Sequence, residues 1–393
     1  MCEYMNTKRN DFLITFVSAY PPNVGRLSEY AKELVSSLAS RVKDGKKILV
    51  LSDTASRCES NIVVKAAWKP NSITGIMKLY INILRTRCKL IHFNLHLAVF
   101  GSSRIINFLG LLSPLIARLS GKKVIVTLHN IPDAIGLEEA KLRNSLMNRL
   151  GLLLVMKILI LSANSVVVTV KKYVSILKKR YQAKNVRFIP HGTWFTNYQN
   201  KWNVDSPLNL LFIGYLAPYK DLRRLIEIVD ILRQENPSIR LLISGAAHPN
   251  YPDYKNVFLN SISGKHYIKY LGRVPNEKIP ELVSKSRILI LPYRTSTGTS
   301  GVYHLVAGLG LPVIAPPTIE FKEIVEEGGG IVLLNLWNEN AAQNILKILL
   351  NKELLSELSK KNVKFASKRS WDIVAEEYLK FYREVLGCEK KLY

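Results

Sequence analysis

ILILPYRTSTGTSGVYHLVAGLG, residues 288–310, is the stretch that decides the fold class. Its first four residues form an uninterrupted apolar run, which is typical of a parallel β-strand covered on both faces. Small residues then fill a turn before a helical pattern begins at Gly301. Glycine lets the backbone approach a ligand, and serine or threonine can cap a helix. The stretch therefore predicts a strand, a tight turn and a helix N-terminus at one edge of a sheet.

The turn predicts an anion site, because free amides and the dipole at a helix N-terminus attract negative charge. A diphosphate would suit it, and a capped helix with no ligand is the alternative. The sequence contains neither GxxxxGK nor GxGxxG, so the turn is neither a P-loop nor a dinucleotide fingerprint. The candidate ligands in this turn are Thr297, Gly298, Thr299, Ser300 and Gly301.

The same alternation of apolar runs and amphipathic stretches extends through the whole chain. Predicted strands in the first half are Phe12–Ser18, Lys47–Leu51, Ile62–Lys65, Leu90–Phe93, Lys123–Thr127, Val166–Val170 and Val186–Ile189. Predicted helices between them are Leu27–Ser40, Thr74–Thr86, Gly101–Leu119 and Leu142–Leu161. The second half repeats the pattern from Leu210 onward and ends in an amphipathic helix, Trp371–Leu386. Repeated strand–helix–strand units predict doubly wound parallel sheets.

A polar, turn-rich segment between His191 and Leu208 separates the two halves. We therefore predict an α/β fold with two Rossmann-like doubly wound domains facing a cleft. The expected boundaries are 1–195 for the first domain, 196–370 for the second and 371–393 for a final helix that packs back on the first. In open α/β sheets, ligands bind at the carboxyl ends of strands, so we expect the chemistry in those loops.

Length and composition exclude several classes of protein. The chain has 393 residues, of which 48% are hydrophobic, so it can bury two cores and is not a disordered protein. Its four cysteines are scattered without a Cys-x-x-Cys pair, which excludes a disulfide framework or zinc motif and favours a reducing compartment. The first residues show no hydrophobic signal core, so we expect a cytoplasmic protein.

The apolar stretch from Leu150 to Val170 is the one segment that could suggest a membrane span. It carries Lys157, Ser162 and Asn164, whereas a spanning helix needs about 20 residues with few polar breaks. We interpret it as a buried helix that turns at 162–164 into a buried strand.

Positive charge is concentrated in the first half of the chain. The net charge is +26, and residues 1–205 hold 31 Lys/Arg against 11 Asp/Glu. Such a surface attracts phosphates, acidic membranes or nucleic acid, and a merely solvated basic surface is the alternative. Base-stacking aromatics interleaved with Lys/Arg are missing from the sequence, so we expect no nucleic-acid partner.

Three further loops carry candidate residues, each with an ordinary structural alternative. Lys220 follows the strand in FIGYLAPYK, where an ammonium group can reach a phosphate or serve as a surface charge. His129 follows the strand in VIVTLHNIPD and can bind a sugar hydroxyl or remain a loop histidine. Gly25 and Arg26 lie in YPPNVGRLSEY, which is either a ligand loop or an ordinary strand-to-helix turn.

Metal-dependent chemistry has no support in the sequence. His92 and His96 are four residues apart near a strand end, without acidic or cysteine neighbours, and an Asp-x-Asp motif is missing. We therefore expect no metal and no cofactor other than a nucleotide-sugar co-substrate.

Taken in order, these segments resemble the group 1 (family 4) glycosyltransferases, which have the GT-B fold and usually retain anomeric configuration. The resemblance covers nearly the whole chain. It is carried by YPPNVGRLSEYAKEL, VIVTLHN, FIPHG, LLFIGYLAPYKDLRRLIE, YIKYLGRVPNEKIPELVSKSRILILPY, GLPVIAPP, FKEIV and WDIVAEEYLKFYREV.

The resemblance implies roles for individual residues. Gly25 would approach the donor phosphate or acceptor, and His129 would contact the transferred sugar. Lys220, with the amides around Thr299–Gly301, would stabilise the leaving diphosphate. The remaining donor-site positions implied by the family are Gly214, Tyr215, Gly272, Arg273, Val274 and Glu323.

The sequence departs from the family at several of these positions. Two glutamates that the family usually carries correspond to Thr297 and Leu305, an arginine corresponds to Tyr215, and a second loop glycine to Arg26. In one interpretation the chain rebuilds the site; in the other, catalysis is lost and sugar-nucleotide binding is kept. The residues that would rebuild it are Thr297, Ser300, His304, Arg26 and Glu320, and the expected catalytic residues are then His129, Lys220 and Thr297.

The resemblance implies a metal-independent, retaining transferase that moves a hexose from a UDP- or GDP-sugar. The basic first domain suits a lipid-linked or cell-envelope glycan acceptor and contact with the inner face of an anionic membrane. A catalytically inactive sugar-nucleotide-binding homologue is the alternative, and turnover would separate the two.

Overall fold

The computed structural model describes residues 12–23, 25–42, 45–55, 59, 61–133, 146–198, 202–295 and 298–387, with the side chains of residues 26, 146 and 147 left out. The chain divides into two compact units. The N-terminal unit comprises Met1–Gly192 and Trp371–Tyr393, and the C-terminal unit comprises Thr193–Ser370.

The N-terminal unit is built on a parallel sheet, seven-stranded in the described residues, with the order β3-β2-β1-β4-β5-β6-β7. Its strands are β1 Phe12–Val17, β2 Lys47–Ser52, β3 Ile62–Ala66, β4 Leu90–Leu95, β5 Lys123–Leu128, β6 Ser165–Val168 and β7 Val186–Phe188. The central strands are buried along nearly their whole length and are mostly apolar, as expected where helices cover both faces of a parallel sheet, with His92 and Asn94 among the polar exceptions. The strand order reverses direction between β1 and β4.

Helices of this unit follow the strands that they connect. They are α1 Arg26–Ala39, α2 Ile73–Arg85, α3 Arg104–Leu111, α4 Ser113–Leu119, α5 Leu146–Ser162 and α6 Lys171–Tyr181. Helix α1 buries Tyr30, Leu34 and Leu38, whose four-residue spacing places them on one helix face.

The C-terminal unit repeats this architecture with an all-parallel sheet, six-stranded over the described residues, in the order β10-β9-β8-β11-β12-β13. Its strands are β8 Asn209–Ile213, β9 Arg240–Ser244, β10 Ile268–Tyr270, β11 Ile288–Ile290, β12 Val313–Ala315 and β13 Ile331–Leu333. Its helices are α7 Leu222–Glu235, α8 Tyr254–Ser261, α9 Ile279–Ser284, α10 Gly301–Ala307, α11 Ile319–Glu326, α12 Ala341–Leu350 and α13 Lys352–Ser367. Two parallel α/β sheets confirm the predicted fold class.

The final helix, α14 Trp371–Leu386, belongs to the N-terminal unit and packs against α1. It buries Trp371, Tyr378 and Tyr382. The hydroxyl of Tyr378 lies 3.2 Å from that of Tyr30 on α1, and Arg41 pairs with Asp372 at 2.8 Å. Aromatic burial, together with the ion pairs of Arg41 with Asp372 and Glu376, thus attaches the end of the chain to the first helix and the residues after it.

The prediction of one helix over Gly101–Leu119 is wrong, because the structure has two helices that meet at Leu112. Pro114 has no amide hydrogen to donate to the Gly110 carbonyl, so a continuous helix would lose that bond. The Ser113 hydroxyl donates to the Gly110 carbonyl instead, and the chain starts a new helix.

The predicted helix Leu142–Leu161 begins at Leu146 in the described residues, and residues 142–145 lie outside them. Its predicted burial is wrong. Leu150, Leu154 and Leu161 are 58%, 52% and 79% exposed. An apolar composition all round the helix does not identify which face meets the sheet, and only one face does.

Candidate functional site

The strand order of the C-terminal unit reverses between β8 and β11, which are paired neighbours. Strands β9 and β10 lie on one side of this pair, and β12 and β13 lie on the other. Loops at such a reversal separate to opposite faces of the sheet and leave a crevice at the carboxyl ends of the strands. The loops after β8 and β11 contain several of the residues predicted from the sequence, namely Gly214, Tyr215, Lys220 and Gly298–Ser300.

The backbones after β8 and β9 approach each other closely. The Gly214 amide donates to the Ser244 carbonyl at 3.0 Å, and the Gly245 amide donates to the Gly272 carbonyl at 2.8 Å. A Cβ atom on Gly245 would lie 1.9 Å from the Gly214 carbonyl oxygen, so only glycine fits. These bonds bring two of the predicted segments, at Gly214 and Gly272–Val274, onto one edge of the sheet.

Lys220 ends a short 3-10 turn after β8 and is only 7% exposed. Its ammonium nitrogen lies 3.1 Å from the ring centroid of Tyr293, which follows β11, and 5.3 Å from that of Tyr219. Cation–π attraction offsets part of the cost of burying this charge. The reversal point therefore holds a fixed cation, which suits an anionic ligand.

Asp221 connects the loops around Lys220. It adopts a left-handed conformation with φ of 39°, and its carboxylate caps α7 by accepting from the Arg224 amide at 3.3 Å. The same carboxylate accepts from Arg294 Nε at 2.7 Å and from Trp337 Nε1 at 2.7 Å. One buried carboxylate thus joins the loops that follow β8, β11 and β13.

The turn before α10 has the predicted form of a capped helix start. Ser300 is the N-cap and accepts from the Tyr303 amide at 3.3 Å. Gly298 has φ of 88°, and Gly301 begins the helix. His304 is 2% exposed, and its Nε2 lies 3.0 Å from Thr299 Oγ1. Thr297, a predicted catalytic residue, lies outside the described residues.

The positions that depart from the family pattern have distinct surroundings. Leu305 is fully buried in the core of the C-terminal unit, so an apolar side chain stands where the family pattern has a carboxylate. Glu320 and Glu323, on α11 after β12, are buried carboxylates at 2% and 6% exposure. Because β12 pairs with β11, both follow the strand next to the reversal point.

Tyr215 belongs to a group of aromatic rings after β8 and β9. The Tyr215 and His248 rings are 5.2 Å apart, and the His248 and Tyr251 rings are 5.5 Å apart. Val274 donates its amide to Ser244 Oγ at 3.2 Å, which ties the segment after β10 to the end of β9. The surface beside Lys220 is therefore aromatic where the family pattern has an arginine.

In the N-terminal unit, Gly25 stands directly before α1 with φ of 148° and ψ of 155°, a conformation open to glycine alone. The loop lies after β1, where that sheet also reverses direction. Arg26 begins α1, but its side chain lies outside the described residues.

His129 directly follows β5, and its Nε2 donates to Asn94 Oδ1 at 2.6 Å. Asn94 in turn donates from Nδ2 to Ser18 Oγ at 2.9 Å. Burial, followed by the nearby His191 and His96, lowers the pKa of His129 well below its ordinary value. The imidazole is therefore neutral at pH 7, and an Nε2 that donates leaves Nδ1 as an acceptor for a hydroxyl.

His92 lies inside the N-terminal unit as a structural histidine. Its Nδ1 lies 2.6 Å from the Tyr382 hydroxyl and its Nε2 lies 2.7 Å from Thr127 Oγ1. Burial lowers its pKa to about 3. Of the residues that the structure describes, none form a group of three or more His, Cys, Asp or Glu able to hold a metal ion. None of the described helices is both long enough and apolar enough to cross a membrane.

Sequence reasoning missed Asp221, Tyr293, Trp337 and Asn94, which hold the predicted residues in place. Asp221 stands in an N-cap position, and an aspartate directly before a helical pattern is a signal that the sequence contains. The other three are brought in by contacts between distant parts of the chain.

The C-terminal unit matches a known family. Residues 207–351 match the family model described as "Glycosyl transferases group 1". The chain is 23% identical over 204 residues to GDP-mannose:cellobiosyl-diphosphopolyprenol alpha-mannosyltransferase of Komagataeibacter xylinus, covering 51% of each chain. The chain thus spans about half the length of the curated relatives it matches.

Solved GT-B glycosyltransferases share the fold over nearly the whole chain. Sucrose-phosphate synthase from Thermosynechococcus elongatus has a TM-score of 0.72 at 18% identity, covering 95% of this chain and 99% of that one. HepE from Anabaena, solved in complex with UDP-glucose, has a TM-score of 0.72 at 16% identity, covering 94% and 99%. These likenesses confirm the GT-B fold predicted from the sequence.

Proposed function

We propose that this chain, whose C-terminal unit belongs to the group 1 glycosyl transferases, transfers a hexose from a UDP- or GDP-sugar to a glycan acceptor. The observation that carries the proposal is Lys220, a buried ammonium group at the point where the sheet reverses direction. A diphosphate gains negative charge as it leaves, so a fixed cation binds it more tightly in the transition state than in the ground state.

Lys220 and the amides at Thr299–Gly301 are the proposed ligands of the leaving diphosphate. Thr297, Glu320 and Glu323 are the proposed contacts of the sugar and ribose. Residues Gly272–Val274, with Gly214 and Tyr215, are the proposed contacts of the base and the phosphates. In the N-terminal unit, Gly25, Arg26 and the neutral His129 are proposed to contact the acceptor, the donor phosphate or the sugar hydroxyls. Retention of configuration and independence of metal ions are part of the proposal.

The proposed acceptor is a lipid-linked or cell-envelope glycan, met at the cytoplasmic face of a membrane. The mannosyltransferase relative from Komagataeibacter xylinus is named for a diphosphopolyprenol-linked acceptor. The basic first half of the chain, with 31 Lys/Arg against 11 Asp/Glu, suits such a phosphate-linked carrier.

A second candidate function follows from Leu305. This buried leucine occupies a position where the family pattern has a carboxylate. If Glu320 and Glu323 do not replace that carboxylate, the chain binds sugar-nucleotide without turnover. Turnover separates the two functions. The alternative predicts nucleotide-sugar binding with no sugar transfer to any acceptor.

The test is a turnover assay with a panel of UDP- and GDP-hexoses and polyprenyl-diphosphate-linked saccharides, with and without EDTA. Mass spectrometry follows both the glycosylated lipid and the released nucleoside diphosphate. We expect one donor to give product at equal rates in both conditions, with product formation lost in Lys220→Met. Lys347→Met, an exposed lysine of the same unit, is the control. Donor binding without any product would favour the second function.

A further inference from the structure

Exposed large hydrophobic side chains are concentrated on four consecutive helices of the N-terminal unit. Ten of the fourteen among the described residues lie on α2 to α5. They are Ile73, Met77, Ile81, Leu84, Ile105, Phe108, Leu119, Leu150, Leu154 and Leu161. Scattered apolar side chains on a surface need no explanation, but a contiguous group marks an interaction site.

Helix α2 is apolar on two opposite faces. Its buried face includes Ile76, Leu79 and Ile83, which explains how the helix packs in the unit. A second stripe recurs at intervals of four, four and three residues, and its members are 41–55% exposed: Ile73, Met77, Ile81 and Leu84. That spacing places the stripe along one side of the helix. Packing within the unit explains why the first face is apolar, but it does not explain the apolar second face.

Helix α5 repeats this arrangement. Leu150, Leu154 and Leu161 are exposed at intervals of four and seven residues, and the exposed Lys157 lies on the same stripe. A lysine within an apolar stripe can lay its alkyl chain along apolar surface and extend its ammonium group to water or to lipid headgroups.

The stripes belong to one surface. Helix α2 contacts α4, and α4 contacts α5. Right-handed crossovers from β3 to β4, from β4 to β5 and from β5 to β6 put these three helices on the same face of the sheet. Their exposed residues therefore lie on one side of the unit, which we call the α2–α5 face, and α3 contributes Ile105 and Phe108.

On the described helices α2 to α5, every charged residue is basic. Residues 61–132 and 146–198 contain no aspartate or glutamate. The basic residues on α2 to α5 are Lys78, Arg85, Arg104, Arg118, Arg149 and Lys157. Beside the face, burial and then the positive charges of Lys78 and Arg85 lower the pKa of Lys65.

We propose that the α2–α5 face docks on an anionic lipid bilayer, with its apolar stripes inserted between headgroups and its Lys and Arg paired with lipid phosphates. A bilayer supplies both chemistries that the face presents, apolar volume and negative charge. A second copy of this chain fits poorly, because a two-fold interface would press the same cations against each other. The proposal goes beyond sugar transfer, since docking requires neither donor nor acceptor.

The test is flotation of the full chain with phosphatidylcholine vesicles that do or do not contain phosphatidylglycerol, without any sugar-nucleotide. We expect binding to the anionic vesicles alone, weakened by added salt. Lys78→Gln with Arg85→Gln should weaken it about 25-fold, at about fivefold for each charge. The matched control, Lys269→Gln with Lys347→Gln, removes two exposed lysines of the C-terminal unit and should leave binding unchanged.

A second pair of variants tests the apolar stripe. Ile81→Gln with Leu84→Gln should reduce binding to the anionic vesicles at least tenfold, whereas Val257→Gln with Leu350→Gln, at similar exposure in the C-terminal unit, should not. Because all four side chains are exposed, thermal melts should match those of the unchanged chain. The proposal is overturned if the unchanged chain ignores anionic vesicles, or if the α2 variants bind like it. Sedimentation that shows a dimer dissociated by Ile81→Gln with Leu84→Gln would assign the face to a second copy instead.

Discussion

Replacing Asp221 tests whether one carboxylate holds the loops of the C-terminal unit together. Asp221→Ala removes the cap of α7 and both bonds from Arg294 and Trp337, and it places alanine at φ of 39°. The Arg294 side chain is 61% exposed, so its ion pair contributes little. Three effects therefore determine the loss of stability. They are the lost cap, the Trp337 donor left without its acceptor and the strained backbone. Together they predict a loss of about 4 kcal/mol in the free energy of unfolding.

Asp221→Asn is the matched variant, because asparagine tolerates positive φ and caps helices as well as aspartate. It keeps the cap on Oδ1 but puts an amide NH2 where Oδ2 accepts from Arg294 and Trp337, so we expect an intermediate loss of about 2 kcal/mol. Urea unfolding followed by tryptophan fluorescence measures both variants against the unchanged chain. Equal losses in the two variants, or losses below about 1 kcal/mol in both, would refute the role given to this carboxylate.

Three further predictions concern stability. Because burial lowers the pKa of His92 to about 3, the unfolded chain takes up a proton below pH 6.5 that the folded chain does not, and stability falls as pH decreases. At pH 4.5 this loss in the free energy of unfolding should reach roughly 2–3 kcal/mol relative to pH 7.5. Urea unfolding measured across this pH range should show a smaller dependence of stability on pH in His92→Gln. Tyr382→Phe, which keeps the imidazole, should leave that dependence unchanged. Gly245→Ala, whose methyl group would meet the Gly214 carbonyl, should lower the melting temperature and weaken donor binding in calorimetry. Gly151→Ala on α5 meets no atom within 4 Å and should raise the unfolding free energy by about 0.5–1 kcal/mol.

Much of the fold was readable from the sequence because parallel strands and packed helices leave strong local patterns. The run ILIL and the small residues after it predicted β11 and the start of α10, and the spacing of Trp371 to Leu386 predicted α14. Helix α6 was not among the helices named from the sequence, although the buried Tyr173, Leu177 and Tyr181 of KKYVSILKKRY recur every four residues.

The site was less readable, because its geometry depends on contacts between distant residues. Lys220 and Tyr293 are 73 positions apart, and Asp221 and Trp337 are 116 apart. No local pattern encodes such pairs. The glycine turn and the candidate residues at strand ends were found because strand–loop–helix order is local, whereas the residues that hold them were not.

The central claim is that the C-terminal unit holds a nucleoside diphosphate at Lys220. Isothermal titration of UDP- and GDP-hexoses tests it directly, with the unchanged chain beside Lys220→Met, which keeps most of the buried side-chain volume. A charge-assisted bond contributes about 1.5–3 kcal/mol, so the variant should bind its donor about 10- to 100-fold more weakly while melting at a similar temperature. Equal donor affinity in the two proteins, or no binding of any donor by the unchanged chain, would contradict the account.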